Sequence, residues 1–371
     1  MVIEGREIVM NKKFAAVMLS LMLVLTVVLS GCAKKQEPKE AMSTAAKNAM
    51  TMSSYEMKSS IVIEDLQVKM AAAEGDPTVD QALTMLKNAE FTVTGIHQAE
   101  PEQQTEMQMG INLKGDMAMT LNIDMVMTKE KIYVKIPSIP MFPLPENIVG
   151  KYLVLDMKEL AEQAGETFNP ESLDTEKSQK FVTEITDALL AEYDQAKYFK
   201  QVETKDAKLP EGVDAKQVVQ FYVTNDTLKE ALEILVNKVA PKIVDIAGKD
   251  EYRDMLGLTK EDIEEAKSMM SSQDQEEFKA DLDEVQKNLK INTFNINTAI
   301  NKNDFPVYQD VVMNLDFNYP ETQESVKLAV KGSTQYSKIN EKQTFKIGIP
   351  SDADVITLEE AGEAFGQMGI E

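Results

Sequence analysis

Three kinds of side chain in this sequence carry distinctive chemistry: a lone cysteine, Cys32; a lone histidine, His97; and a run of methionines between residues 107 and 127. Cys32 is the only thiol in 371 residues. A single cysteine forms no internal disulfide and builds no Cys-rich zinc or iron–sulfur site. A single histidine cannot supply the His clusters of most zinc enzymes. His97 lies near Gly95 at a strand end, where a hydrogen-bonded structural imidazole is the simpler reading and a general base the sharper one. No Gly-x-Ser-x-Gly elbow and no Gly-rich phosphate loop is present. The acid pairs Glu261-Asp262 and Glu264-Glu265 read as a solvated helix face. Asp281-Leu-Asp283-Glu284 lacks the central glycine of a calcium loop. No catalytic residue, metal site or cofactor is therefore expected, and the chain reads as a non-enzyme.

The methionines offer more. Met107, Met109, Ile111 and Leu113 alternate with polar residues, and Met117, Met119, Leu121, Ile123, Met125 and Met127 do the same after Gly115. Methionine is flexible and fills irregular apolar space. The stripe is either a packed sheet face or the lining of a cavity that adapts to acyl chains. Cu(I) capture by the thioethers suits their softness, but strand spacing gathers no clear site. Residues 137–145, PSIPMFPLP, form an apolar, proline-rich loop that no helix or central strand can hold. Its Phe142 and Leu144 either pack onto the same core or act as a lid at a cavity mouth.

Composition narrows the partners. There are 39 Lys+Arg against 62 Asp+Glu, a net charge of −23. That opposes nucleic-acid binding and direct docking on anionic headgroups. Tryptophan is absent and aromatics make up 6%, so the stacking platforms usual in carbohydrate sites are scarce. With 43% hydrophobic and 27% charged residues the chain is globular rather than disordered.

Cys32 acquires a role from what precedes it. Lys12 and Lys13 lead into an almost wholly apolar run from Phe14 to Leu29, closed by Leu29-Ser30-Gly31-Cys32. This is a secretory signal layout, and the run is short for a spanning helix. Leu-Ser-Gly-Cys matches the lipobox of bacterial lipoproteins, which implies cleavage before Cys32 and lipidation of its sulfur. A plain signal peptide or an uncleaved anchor helix is the blander alternative. Met10 followed by Asn-Lys-Lys makes a better start than Met1, because residues 1–9 carry acids. The expected organisation is a signal peptide over 1–31, a lipidated Cys32 with a polar tether to residue 40, and one domain over 41–371. The chain would then sit on the extracytoplasmic face of the cell membrane, held there by its N-terminal lipid anchor.

The elements that would position the methionines follow from periodicity. Ala41–Met52 has helical spacing, and alternation marks strands at 55–63, 91–96, 107–113, 117–127, 131–135 and 150–157. Pro77 opens a second helix. The middle is mainly helical: Phe181, Ile185, Ala188 and Leu189 share one face. Thr227-Leu-Lys-Glu230 reads as a capping box for a helix ending before Pro241, and residues 259–289 form an acidic helical region. A strand at 218–223 interrupts these helices, and strands at 294–298, 311–317, 326–330 and 345–349 close the chain. Strand runs at both ends with helices between them define an α+β fold.

This arrangement resembles the LolA-like superfamily, including the LppX/LprG-type lipoproteins, over about Ala41 to Leu358. The resemblance is carried by the amphipathic strands at 107–127, by Lys131-Ile-Tyr-Val-Lys135, by Gly150-Lys-Tyr-Leu-Val-Leu-Asp156, and by the turn within Thr298–Val307. It implies a large curved antiparallel sheet, a half-open β-barrel, with helices covering the concave face. It further implies a lipid or another hydrophobic ligand held between sheet and helices. Met107, Met109, Ile111, Met117, Met119, Leu121, Ile123, Met125, Phe142 and Leu144 would be the contact residues. Soluble LolA has no anchor, so Cys32 fits the anchored relatives better. The helical insertion at about 227–289 departs from the family. The alternative is a structural envelope lipoprotein with a packed sheet, whose acidic helices dock a protein partner.

Overall fold

The computed structural model describes residues 35–69, 77–114, 118–139, 144–163, 175–272, 275–320 and 323–366. Cys32, Met117 and Phe142 lie outside the described residues. In chain order the elements are α1 (Pro38–Ala49), β1 (Ser54–Lys69), α2 (Pro77–Leu86), β2 (Glu90–Gln98), β3 (Gln104–Leu113), β4 (Met119–Thr128), β5 (Lys131–Lys135) and β6 (Tyr152–Asp156). Next come α3 (Met157–Gln163), α4 (Thr175–Glu192), α5 (Gln195–Tyr198), β7 (Phe199–Val202), β8 (Gln217–Tyr222), α6 (Asn225–Ile234), α7 (Ala240–Ala247), α8 (Asp250–Leu256), α9 (Lys260–Ser272) and α10 (Gln275–Asn288). The chain ends with β9 (Leu289–Ile300), β10 (Pro306–Tyr319), β11 (Glu324–Ser337), β12 (Val355–Ile356) and α11 (Leu358–Gly366). No helix among the described residues is long and apolar enough to cross a membrane.

All twelve strands join one sheet in the order β12-β6-β5-β4-β3-β2-β1-β11-β10-β9-β8-β7. It is a large curved sheet, not closed into a barrel, and the class is α+β as the sequence predicts. Two antiparallel meanders, β1–β6 and β7–β11, meet along the long β1–β11 ladder. One pair, β12 with β6, is parallel, so the sheet is mixed rather than wholly antiparallel. A bulge between Ile63 and Asp65 keeps the apolar residues of β1 on one face, with Ile63 opposite Val330 and Leu66 opposite Leu328.

The core lies mainly where helices meet one end of this sheet. α1 packs Ala41 and Ala45, at 1% and 0% exposure, against Val219 of β8 and Ile300 of β9. Behind it Leu190, Tyr193, Tyr198, Phe199, Ala231, Ile234 and Val239 form the largest cluster. Asp194 caps α5 by accepting hydrogen bonds from the amides of Ala196 and Lys197, both at 3.0 Å.

Three sequence expectations are corrected in detail. The cap of α6 is Thr224, whose N–H donates to Thr227 Oγ1 at 2.9 Å, so Thr227 sits inside the helix rather than before it. Pro241 does not end that helix. A π-helical turn over Leu235–Val239 widens the backbone, with Ala240 N–H reaching back to Leu235, and Pro241 falls in the first turn of α7. There its missing N–H matters least. Residues 345–349 are not a strand. They form a strap across a sheet face, where Ile347 joins the cluster of Val126, Tyr133 and Tyr152.

Candidate functional site: a methionine-rich sheet face

Strand register decides which side chains share a face, because directly opposed residues point the same way. Met107 faces Met125, Met109 faces Ile123, Ile111 faces Leu121 and Leu113 faces Met119 across β3–β4. The same face continues into β2 through Gly95, Val93 and Phe91, and into β1 through Met57 and Ile61. The structure therefore brings together Met107, Met109, Ile111, Met119, Leu121, Ile123 and Met125. Met57, Phe91 and Val93 belong to the same surface and were not among the sequence candidates. Their alternation was legible, but the pairing of β1 with β2 and β3 was not.

Gly95 makes a notch in this surface. A β-carbon there would lie 3.5 Å from Met107 Cγ and 3.7 Å from Met57 Cε, so the two thioethers lie over the space a side chain would have taken. One end of the surface is bounded by Tyr55, His97 and Tyr336. Tyr55 lies against the imidazole at 5.1 Å, the rings tilted by 35°, and meets the Tyr336 ring edge-on at 5.4 Å. His97 Nδ1 lies 2.8 Å from Thr105 Oγ1. Burial pushes the imidazole pKa down and both tyrosine pKa values up. This is the hydrogen-bonded reading of His97, with a neutral ring in an apolar wall. At the β6 edge the sheet is covered by α11: Ala361 and Ala364 pack on Ile136, Ile148 and Ile356, with Leu144 alongside. Leu144 thus lies at the rim of the surface rather than over its centre.

Between these ends the covering thins. α2 packs on β1, and no described helix packs closely on β2, β3 or β4. The named residues of β3 and β4 are half-buried, Ile61 is 49% exposed and Val311 is 37% exposed. The arrangement offers adaptable apolar contact area and no reacting group. Among the described residues no cluster of His, Cys, Asp or Glu could hold a metal ion.

The other face is closed by a residue that pattern reading missed. Glu106 is 3% exposed, in the middle of an otherwise unremarkable β3. Its carboxylate accepts the amides of Lys346 at 2.7 Å, Ile347 at 3.0 Å and Gly348 at 2.5 Å. Three backbone donors on one carboxylate pin the strap to the sheet.

The model of a family of unknown function (DUF6612) matches residues 249–354, from the start of α8 through β9–β11 and the strap. The stripe on β3 and β4 lies outside the matched segment. No curated protein matches the chain.

Proposed function

We propose that this chain is a lipid-anchored, extracytoplasmic lipoprotein that binds a lipid or another hydrophobic ligand on the face formed by β1–β4. The observation that carries the reading is a methionine-rich apolar surface, bounded by Tyr55, His97 and Tyr336 and by α11 at the β6 edge, and only partly covered between them. A surface of that kind gains about 25 cal/mol for each Å² of apolar area taken from water. Flexible thioethers let it fit chains of different shape. No covalent step is required, and the reading is non-enzymatic. Cys32 would carry the anchor; two acyl chains hold a protein on a bilayer where one binds only marginally.

The test is native mass spectrometry and solvent extraction of the chain purified from a bacterial membrane. A co-purifying acyl lipid near one per chain is expected, and Met109→Ser with Ile123→Ser should reduce it severalfold. A ligand-free wild-type chain that takes up no added lipid would refute the reading. It would turn attention to the acidic helices α9 and α10 as a protein-docking surface.

A further inference from the structure

The sheet face opposite the methionines holds a polar cleft on the β8–β11 side. It has a volume of about 540 Å³, and the β7–β8 connection leans over it through Asp206, Ala207 and Lys208. That is inside the range of about 300–1,000 Å³ typical of small-molecule sites. Its floor is unusual for a strand surface. Gln220, Asn297 and Asp310 are direct cross-strand neighbours on β8, β9 and β10. Gln220 Nε2 donates to Asn297 Oδ1 at 2.7 Å, and Asn297 Nδ2 donates to Asp310 Oδ1 at 2.9 Å. Asparagine and aspartate are depleted from strands, so an aligned row of them is a poor choice for a merely solvated face.

A second observation points to an occupant. Asn295, two residues along β9 on the same face, has its Oδ1 buried with no hydrogen-bond partner. Buried polar atoms are normally satisfied, and this one borders the cleft. The relay orients the row but leaves Asn295 Oδ1 short of a donor. The charges on the wall nearly cancel, with Asp206 and Asp310 against Lys208 and Lys331. That disfavours an anion or a cation. Tyr308 supplies one aromatic ring, and its hydroxyl pairs with Ser333. Most of this wall, from Asn295 to Ser333, falls inside the segment matched by the family model.

From this geometry we infer that the cleft is a binding site for a neutral, polyhydroxylated ligand, a short oligosaccharide, held by carboxamide and carboxylate hydrogen bonds rather than by aromatic stacking. Sugar hydroxyls both donate and accept, which suits a row of amides whose donors and acceptors alternate. The site is separate from the apolar surface and does not depend on it.

Isothermal titration of the full chain, in a detergent without a sugar headgroup, with chitotriose, cellotriose and maltotriose tests the inference. At least one should bind with a Kd below about 1 mM. Asn297→Ala breaks the relay and should weaken that binding at least about tenfold. Asp310→Asn is isosteric and keeps the fold in case Asn297→Ala does not; it should weaken binding too. Met109→Ser, on the other face, should leave sugar binding unchanged. Absence of binding to all three sugars by the wild-type chain would overturn the inference, as would unchanged affinity in a folded Asp310→Asn chain.

Discussion

One face of one sheet is treated in two ways by this chain. Over β7–β9 it is sealed: Val219 and Ile300 have 0% and 1% exposure beneath α1. Over β2–β4 the residues on the same face are half-buried, and neighbouring Ile61 is half-exposed. β9 alternates through Phe294, Ile296 and Thr298 as β3 and β4 do, so alternation alone is not what separates them. The side chains are. The sealed region pairs branched strand residues with the small Ala41 and Ala45, which lets a helix lie close and makes a fixed contact. The open region uses long unbranched methionines, which suit a contact that has to change.

The sharpest way to break this comparison is to truncate one residue in each region. Tyr198 is fully buried, meets the Tyr193 ring edge-on at 5.1 Å and has its hydroxyl pushed up to about 12 by burial. Tyr198→Ala should cost about 3–5 kcal/mol, the range for emptying a buried aromatic site. Met109→Ala removes a half-buried side chain and should cost roughly 1 kcal/mol. Urea denaturation of the two variants decides it. Equal losses would mean that the face of β2–β4 is as tightly packed as the face of β7–β9.

The next test moves to the opposite side of the same open half, which the strap covers. Glu106→Ala leaves three backbone donors without their carboxylate, and should cost about 2–3 kcal/mol. Hydrogen exchange at Lys346, Ile347 and Gly348 should rise in the variant while the amides of β8 and β9 stay protected. If the strap amides remain protected, Ile347 packing alone holds them, and the carboxylate is a minor contributor.

These residues mark where sequence reasoning succeeds and where it stops. The strands at 91–96, 107–113 and 131–135 were readable because alternation is local, and so was the helix built on Ala45. The partnership of β1 with β11 was not readable, since nothing local pairs Ile61 with Gly332. Residues 345–349 alternate as a strand does, yet they have no ladder partner: Ile347 packs on the sheet while Ile349 is 53% exposed. Glu106 looked like any polar residue on the solvent side of β3, because its amide donors lie some 240 positions away. Of the apolar surface, the β3–β4 residues were legible and Met57, Phe91 and Val93 were not. The cleft floor left a fainter trace, asparagines at 295 and 297 where strands seldom use them.

The smallest effect expected concerns that cleft, and it separates binding from stability. Burial raises the pKa of Asp310 above the usual carboxylate range, and the hydrogen bond from Asn297 offsets this only in part. The groups around it are Asp206, Lys208, Tyr308 and Lys331. An acid whose folded pKa is raised gives its full support to the fold when protonated in both states. It loses that support as pH rises through the folded value. Wild type and Asp310→Asn should therefore melt together at low pH and diverge above the usual carboxylate range, with the variant the more stable at neutral pH. Melting curves across pH 3 to 8 would show it. A cleft that served only the fold would have no reason to keep an ionised carboxylate that weakens it. A variant that gains stability at neutral pH while losing sugar affinity would identify Asp310 as a residue kept for its ligand. Identical melting at every pH would remove that argument and leave the relay as ordinary sheet structure.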